Sequence, residues 1–314
     1  MPRPDVEHHR ELATAARPGA EVLGRQDCLR LLAQTNVGRV AVSVGALPAV
    51  LPLRFAVVGD NVIFPGVRGG ELDAAVRDTV VAVEADHSGP DGGWSVVVTG
   101  IATEATDAPE VHPGLGNLVA GDGTGEPLCW FEVPAEIVSG RRIPRPPLHV
   151  AGTVPASLLA SLAGFGSAPA GGTAPVDGSR LEPLPVEECL ALLATEDVGR
   201  LVVVLAGEPL VFPLNYALDG DAVVFRTATG TKLHAIARSL VAFEVDRWST
   251  SGSGWTVTIQ GWAQEVTSAD APGLRERLAA LPVHPLAGGG DKHHYVRIVP
   301  CSISGSRLRR APDT

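Results

Sequence analysis

The chain has 314 residues, 45% of them hydrophobic, and a formal charge of −10 at pH 7. This length allows two domains with separate cores, and the acidic balance argues against nucleic acid or an anionic membrane as the main partner, because both require a basic face. No apolar run approaches the ~20 residues of a membrane span, and the first residues lack a signal-peptide core. We therefore expect a cytoplasmic protein.

A long internal repeat follows a tail, residues 1–22, that has no periodicity and is predicted to be loose. The segment Cys28-Leu-Arg-Leu-Leu-Ala-Gln-Thr-Asn-Val-Gly-Arg39 returns 161 residues later as Cys189-Leu-Ala-Leu-Leu-Ala-Thr-Glu-Asp-Val-Gly-Arg200. The same offset pairs further landmarks: Asp60 with Asp221, Phe64 with Phe225, Trp94 with Trp255, and Gly100 with Gly261. Solenoid and propeller repeats have periods of roughly 20 to 50 residues, so this repeat indicates a duplicated domain.

Each copy, residues 23–143 and 186–310, opens with a short helix, and the turn containing Val-Gly-Arg then leads into a strand. Further strands follow, separated by turns and a second short helix, and the last is expected over 130–138 in the first copy and 295–303 in the second. About six strands and two short helices per copy suit a closed antiparallel barrel better than a layered parallel sheet. The sequence therefore predicts a mainly β fold, with two tandem β-barrels that carry short helices.

A Pro/Ala/Gly-rich stretch, residues 144–185, separates the copies and is predicted to be a linker. It is long enough for the two barrels to pack face to face as an intrachain pseudo-dimer. Further oligomerisation stays open.

A strand, a turn and a helix are predicted in succession in the second copy, around Phe225-Arg-Thr-Ala-Thr-Gly-Thr-Lys-Leu233. Lys232 falls in the first helical turn, where the helix dipole disfavours a cation unless an anion is bound. Together with Arg226, Thr227 and Thr231 it would form a phosphate site at a helix N-terminus. The alternative is a solvated surface lysine beside an edge-strand arginine.

The first copy provides an internal control for this motif. Arg226 is matched by Pro65, Thr227 by Gly66, Thr231 by Gly70 and Lys232 by Glu71. A glutamate in the first turn is what the dipole favours when no anion is bound. The comparison predicts one phosphate-type site, in the second copy, although Arg68 could restore a weak site in the first.

Further polar differences separate the copies in the preceding strand. Asn215 and Tyr216 stand where the first copy has Arg54 and Phe55, and their amide and hydroxyl groups could contact a planar heterocycle. Tyr216 could instead be a core aromatic, because its counterpart keeps the ring and lacks the hydroxyl. Arg297 is most simply interpreted as a solvated strand residue.

No residue pattern indicates a metal site or a catalytic acid or base, so the catalytic residues are unknown. The four cysteines form no Cys-x-x-Cys pair, and Cys28 and Cys189 lie among leucines at helical spacing, as small core residues do.

At these residues the chain resembles the pyridoxamine 5′-phosphate oxidase-like family of FMN-binding split β-barrels, in the branch of nitroimidazole-resistance-type proteins. Six segments of the second copy match the family in the same chain order: Asp197 to Leu201, Phe212 to Tyr216, Phe225 to Leu233, Val241 to Asp246, Trp255 to Gly261 and Tyr295 to Pro300. The first copy resembles the family over about residues 25–143, with a degraded phosphate motif.

The resemblance implies an FMN in the cleft between the two barrels. Its phosphate would lie against Arg226, Thr227, Thr231 and Lys232, and its ring against Asn215, Tyr216 and the start of the Trp255 strand. The basic substrate-phosphate pocket and C-terminal segment of true pyridoxamine-phosphate oxidases are not found.

The leading hypothesis is an FMN-dependent oxidoreductase with one flavin per chain and an unknown substrate. Relatives also bind the deazaflavin F420 or haem, and His293 or His294 is a candidate haem ligand unless it is a structural histidine. An F420-dependent enzyme and a regulatory module without catalysis are the two competing hypotheses.

Overall fold

The computed structural model describes residues 21–89, 92–105, 128–143, 180–228, 233, 236, 238–248, 253–267, 270, 273–283 and 293–309. The predicted tail up to residue 20 and the linker from 144 to 179 lie outside them. None of the described helices is long and apolar enough to cross a membrane.

The described elements form two sheets, one in each copy. In the first copy they are α1 (Arg25–Leu32), β1 (Val37–Val44), β2 (Leu47–Arg54), β3 (Ala56–Val58), β4 (Asn61–Val67), α2 (Glu71–Val76), β5 (Thr79–Gly89), β6 (Gly92–Glu104), β7 (Leu128–Pro134) and β8 (Ile137–Ile143). In the second they are β9 (Arg180–Pro183), α3 (Val186–Leu193), β10 (Val198–Leu205), β11 (Glu208–Asn215), β12 (Ala217–Asp219), β13 (Ala222–Thr227), β14 (Leu240–Trp248), β15 (Gly254–Val266), α4 (Leu274–Ala279) and β16 (His294–Arg309).

Both sheets have the same antiparallel order. The first runs β2-β1-β5-β6-β7-β4-β3 with β8 on β6, and the second runs β11-β10-β14-β15-β16-β13-β12 with β9 on β16. Each sheet curls around its own apolar core, one containing Phe55 and Phe64 and the other Phe225 and Phe243. The predicted mainly β fold of two tandem split barrels is confirmed.

Two details differ from the prediction. The last strand of the first copy is interrupted into β7 and β8, whereas the second copy keeps one long strand, β16, whose pairing with β15 shifts register between Gln260 and Gly261. Residues 180–183, within the predicted linker, form β9 and pair with β16, so they belong to the second sheet.

The first helix of each copy docks through a cysteine onto a glycine of the last strand. A Cβ atom on Gly140 would lie 2.4 Å from Cys28 Sγ, and one on Gly305 would lie 2.6 Å from Cys189 Sγ. Both cysteines are fully buried, and burial raises the pKa of each thiol to about 11. The prediction that they are core residues is confirmed.

The two barrels contact each other directly through one face of each sheet. Six small or branched side chains form a shared apolar cluster there: Ala41, Val50 and Ala82 from the first barrel, and Val202, Val211 and Ala242 from the second. Gln260 Nε2 also donates to the carbonyl oxygen of Pro48 across the interface, at 3.3 Å. The two copies therefore form the predicted intrachain pseudo-dimer.

Candidate functional site

The end of β13 carries two of the predicted phosphate ligands. Arg226 and Thr227 pair with Tyr295 and His294 of β16. The Arg226 guanidinium lies over the Tyr295 ring, 5.4 Å from its centroid, while Thr227 is buried. The aromatic contact holds the arginine in a defined orientation at the strand end.

Thr231 and Lys232 lie outside the described residues, so their predicted contact with a phosphate stays a prediction. Leu233 and Ile236, which follow them, are helical and buried. Three-residue spacing places these two side chains on one face of a helix turned to the core.

Asn215 ends β11, a strand that lies against β1 and β5 of the first barrel. The residue is 8% exposed, and its Oδ1 is buried without a hydrogen-bond partner among the described residues. Because β12 pairs Ala217 with Val224, continuing that register by two residues would bring Asn215 opposite Arg226. An unpaired buried carbonyl oxygen costs about 1–3 kcal/mol, so the position is suited to a ligand that donates a hydrogen bond.

Tyr216 and Trp255 are placed in the core of the second barrel. Tyr216 is 3% exposed, packs edge-on against Phe243, and donates its hydroxyl hydrogen to the carbonyl oxygen of Leu193 at 2.6 Å. Trp255 is 9% exposed within the same cluster. The hydroxyl of Tyr216 is therefore already engaged, which favours a core role over a ligand contact.

A histidine and glutamate pair lies beside Thr227, and the sequence pattern did not indicate it. His294 Nδ1 is 2.5 Å from Glu265 Oε1, and the two side chains are 31% and 30% exposed. The offset of 161 residues does not align His294 with its counterpart, because the loop before β16 is longer than the loop before β7. Strand register does align them: Cys129 faces Gly66 in the first barrel as His294 faces Thr227 in the second.

The corresponding region of the first barrel is closed by its own side chains. Asp73 Oδ2 accepts the Gly69 N–H at 2.7 Å, and Asp73 Oδ1 accepts Arg77 Nε at 2.7 Å. Arg68, the residue that could have restored an anion site, pairs instead with Glu104. Hydrogen bonds from Arg68 and then Arg77 lower the pKa of Glu104 to about 2. A carboxylate of the chain thus occupies the turn where the second copy is predicted to hold a phosphate.

A buried cluster of six charged side chains, which we term the interface ion cluster, joins the barrels. It consists of Arg39, Glu84 and Asp86 from the first barrel and Arg200, Glu244 and Asp246 from the second. Arg39 donates to Asp246, and Arg200 Nη2 donates to both oxygens of Asp86 at 2.7 Å, so each arginine crosses to the other barrel. Both arginines belong to the repeated Val-Gly-Arg motif, but the sequence does not indicate that they lie in one cluster with acidic residues of both barrels.

Burial raises the pKa of Glu84 to about 7 and that of Glu244 to about 8, with the nearby Asp86 and Asp246 charges adding to the effect. Asp86 behaves in the opposite way, because Arg200 and Arg39 outweigh its desolvation and lower its pKa to about 2. Ser95 Oγ and Thr256 Oγ1 donate to Glu84 and Glu244 at 2.9 and 3.0 Å. Four carboxyl groups therefore share two guanidinium groups, and protonation of the glutamic acids relieves the excess negative charge.

Two further predictions concern cations and metals. Arg297 is 25% exposed and pairs with Asp219 at 3.2 Å, so it is only partly solvated. The described residues contain no cluster of three metal-binding side chains.

Comparisons with known proteins agree with the repeat. A family profile described as "Pyridoxamine 5′-phosphate oxidase" matches residues 24–140 and 185–307. The uncharacterized protein Rv0080 of Mycobacterium tuberculosis is 43% identical over 96 residues, which are 28% of this chain and 63% of that protein. Another uncharacterized protein of that organism, Rv3129, is 36% identical over 97 residues, which are 31% of this chain and 84% of that protein.

The chain thus spans less than two thirds of the length of the first of these relatives. Among solved structures, the FAD binding protein from Mycobacterium smegmatis is 30% identical, with 41% of this chain and 100% of that one covered and a TM-score of 0.32. The two profile matches together cover well over half of the sequence and coincide with the two barrels. The chain belongs to the pyridoxamine 5′-phosphate oxidase family.

Proposed function

We propose that the chain binds one flavin, as FMN, at the second barrel, where β13 ends near β11, a strand that contacts the first barrel. The observation that carries this proposal is the buried Oδ1 of Asn215, which has no hydrogen-bond partner among the described residues and lies at the end of an interface strand. A flavin ring carries an N–H group that can satisfy such an acceptor. Family membership and the phosphate-type motif after Phe225 support the same assignment.

The residues divide into two groups by their chemistry. Arg226, Thr227, Thr231 and Lys232 would hold the phosphate, and Asn215 would orient the ring. The bound flavin would supply the electron or hydride transfer of an oxidoreductase, while the protein supplies binding and orientation. Tyr216 is not assigned to the site because its hydroxyl is engaged with Leu193.

A stoichiometry of one flavin per chain is part of the proposal. In the first barrel Asp73 already accepts the Gly69 N–H, and Arg68 is paired with Glu104. A second phosphate there would meet a fixed negative charge, which disfavours binding. Titration of the purified protein with FMN should therefore saturate at one equivalent.

Absorbance and mass spectrometry of the purified protein test the cofactor directly. The expected result is flavin absorbance or thermal stabilisation by FMN. FAD and F420 are measured in parallel, because both carry a flavin-type ring and phosphate groups and would use the same kinds of contact. A protein that shows neither flavin absorbance nor stabilisation by FMN would overturn the proposal.

Matched variants locate the site. Lys232→Glu installs the residue of the first barrel and should weaken FMN binding at least tenfold, since it replaces an attractive charge by a repulsive one. Arg68→Ala, the control, removes an arginine of the first barrel and should leave FMN affinity unchanged. Unchanged affinity in Lys232→Glu would refute the assignment of the phosphate site.

A further inference from the structure

The hydrogen-bonded pair of His294 and Glu265 lies at the rim of the second barrel, next to the motif assigned to phosphate binding. His294 Nδ1 and Glu265 Oε1 are 2.5 Å apart, and about a third of each side chain is exposed. We propose that His294 contacts the anionic end of the cofactor and that Glu265 positions it. This inference rests on the proposed function, since it adds a ligand to the same site.

Strand register sets the position of His294. It pairs with Thr227 across β13 and β16, and paired residues in an antiparallel ladder project their side chains to the same face. Their Cβ atoms in such pairs are about 4.5–5.5 Å apart. The Thr227 hydroxyl makes only a long hydrogen bond, 3.4 Å, to the carbonyl oxygen of Ala228, and an anion that replaced this acceptor would lie within the reach of an imidazole at position 294.

The first barrel shows the same framework without these groups. Its paired residues at this place are Gly66 and Cys129, and Cys129 Sγ donates to the carbonyl oxygen of Gly66 at 3.4 Å. Neither offers a cationic or hydroxyl donor to a ligand. The hydroxyl and the imidazole thus occur together in the barrel that carries Arg226 and Lys232, and both are missing from the paired positions 66 and 129 of the first barrel.

The glutamate is present in both barrels but has different partners. Glu104, the counterpart of Glu265, pairs with Arg68 and Arg77. Arg68 aligns with Thr229. At the end of the second helix the offset between the copies falls to 238 − 78 = 160 residues, because Asp78 and Arg238 share left-handed φ angles of 56° and 63°. Arg77 therefore aligns with Ala237. Glu265 has lost both arginines and accepts from His294 instead.

The chemistry of the pair follows from its geometry. With Nδ1–H donated to Glu265 Oε1, the plane of the imidazole is fixed, and Nε2 is the ring atom that would face the anion, to which it donates a hydrogen bond when the ring is doubly protonated. Glu265 acts through the histidine and is a positioning residue.

A contact with the phosphate can be distinguished from a contact with the ring by experiment, because riboflavin has the flavin ring of FMN and lacks its phosphate.

The test compares dissociation constants of FMN and riboflavin, measured by flavin fluorescence on the full chain. His294→Cys installs the residue of the first barrel and should weaken FMN binding about tenfold while leaving riboflavin binding within twofold. Glu265→Ala should also weaken FMN selectively, whereas Glu265→Gln, which keeps an oxygen acceptor, should retain FMN affinity. His293→Cys, at the neighbouring exposed position, is the control and should change neither constant.

The outcomes separate the two proposals. Wild-type protein that binds neither compound overturns the proposed function and this inference together. Wild-type protein that binds FMN, with His294→Cys showing an unchanged ratio of FMN to riboflavin affinity, overturns only the role of His294. Equal FMN affinities in Glu265→Ala and wild type overturn the positioning role. A riboflavin affinity that falls in parallel with the FMN affinity indicates a structural effect and likewise contradicts the inference.

Discussion

Arg39 and Asp246 lie 207 residues apart in the chain, in different barrels, and Arg39 Nε donates to Asp246 Oδ2 at 3.0 Å. The related pair, Arg200 and Asp86, crosses in the opposite direction. Each barrel therefore neutralises a buried acid of the other. Association of the barrels depends on charge pairing as well as on the apolar cluster around Val202.

Removing one of these arginines should destabilise the whole chain. Arg39→Ala leaves the four acidic groups of Glu84, Asp86, Glu244 and Asp246 with one shared cation, and breaking a buried pair costs about 3–5 kcal/mol. The free energy of unfolding in urea measures the loss. Arg30→Ala, which removes an exposed partner of Asp27, should change it by less than about 1 kcal/mol. Equal effects of the two substitutions would contradict the importance of the interface ion cluster.

The stability of the fold should decrease from mildly acidic to alkaline pH. The folded-state pKa values of Glu84 and Glu244 are raised from 4.5 to about 7 and about 8, so the folded state holds protons that the unfolded state has released. Their contribution is fully present below about pH 4.5 and is lost as the pH rises through the folded values. Asp86, with its pKa lowered from 3.8 to about 2, contributes above pH 3.8 and loses that contribution as the pH falls toward 2.

Urea unfolding at about pH 5.5 and about pH 8.5 should therefore give the larger unfolding free energy at the lower pH. Glu84→Gln combined with Glu244→Gln removes the two titrating groups and should reduce this difference. If the double variant keeps the full pH dependence of wild type, the glutamic acids are not its source.

The glycine of each Val-Gly-Arg motif should tolerate no side chain. A Cβ on Gly38 would lie 2.5 Å from the backbone oxygen of Glu84, and one on Gly199 would lie 2.2 Å from Phe243 Cζ. Gly38→Ala and Gly199→Ala should each cost about 1–3 kcal/mol, because a backbone strand or a buried ring must move. Gly24, where a Cβ would meet nothing within 4 Å, provides the control in thermal unfolding. A melting temperature for Gly38→Ala as high as that of Gly24→Ala would argue against close packing at the motif.

Tyr216→Phe should separate a core role from a ligand role. It removes the hydrogen bond to Leu193 and should lower the unfolding free energy by about 1 kcal/mol, while FMN affinity stays unchanged. The counterpart Phe55 shows that the barrel accepts a phenyl ring at this position. FMN binding that weakens several-fold would return Tyr216 to the site.

Asp73 should stabilise the first barrel by closing its turn. Asp73→Ala loses the bonds to Gly69 N and Arg77 Nε and should cost about 1–3 kcal/mol in thermal or urea unfolding. Asp73→Asn keeps an acceptor for the Gly69 N–H and should lose less. If alanine and asparagine are equivalent to wild type, the carboxylate does not close this turn.

Much of the fold could be predicted from the repeat, because the order of apolar strands and turns in each copy is a local property of the sequence. Helix α4 was not predicted, because it lies in the segment between β15 and β16, which differs in length from its counterpart between β6 and β7, so the repeat gives no alignment there. Strand β9 was also missed, because its four residues, Arg180 to Pro183, are too few to show a strand periodicity; in the first copy a single bridge between Val22 and Arg141 corresponds to it. The break between β7 and β8 escaped prediction because Ala135 and Glu136 do not resemble a turn signal.

Candidate site residues could be proposed from the sequence where the chemistry of aligned positions differs, as with Arg226 against Pro65. It was not predictable where partners come from distant segments. Glu265 and His294 meet only because β15 pairs with β16, and Arg39 meets Asp246 only because the barrels dock face to face. For Tyr216 the sequence left a core role and a ligand role open, and a single backbone carbonyl, that of Leu193, distinguishes them.

The interface in which each arginine pairs with an acid of the other barrel also affects how the sequences of the two barrels can diverge in evolution. In a symmetric pair of identical subunits, every substitution appears in both clefts at once, so neither cleft can be altered alone. Joining the copies in one polypeptide removes that restriction while the shared scaffold keeps both barrels in place. The difference between Gly66 with Cys129 and Thr227 with His294 is a divergence that a pair of identical subunits does not permit.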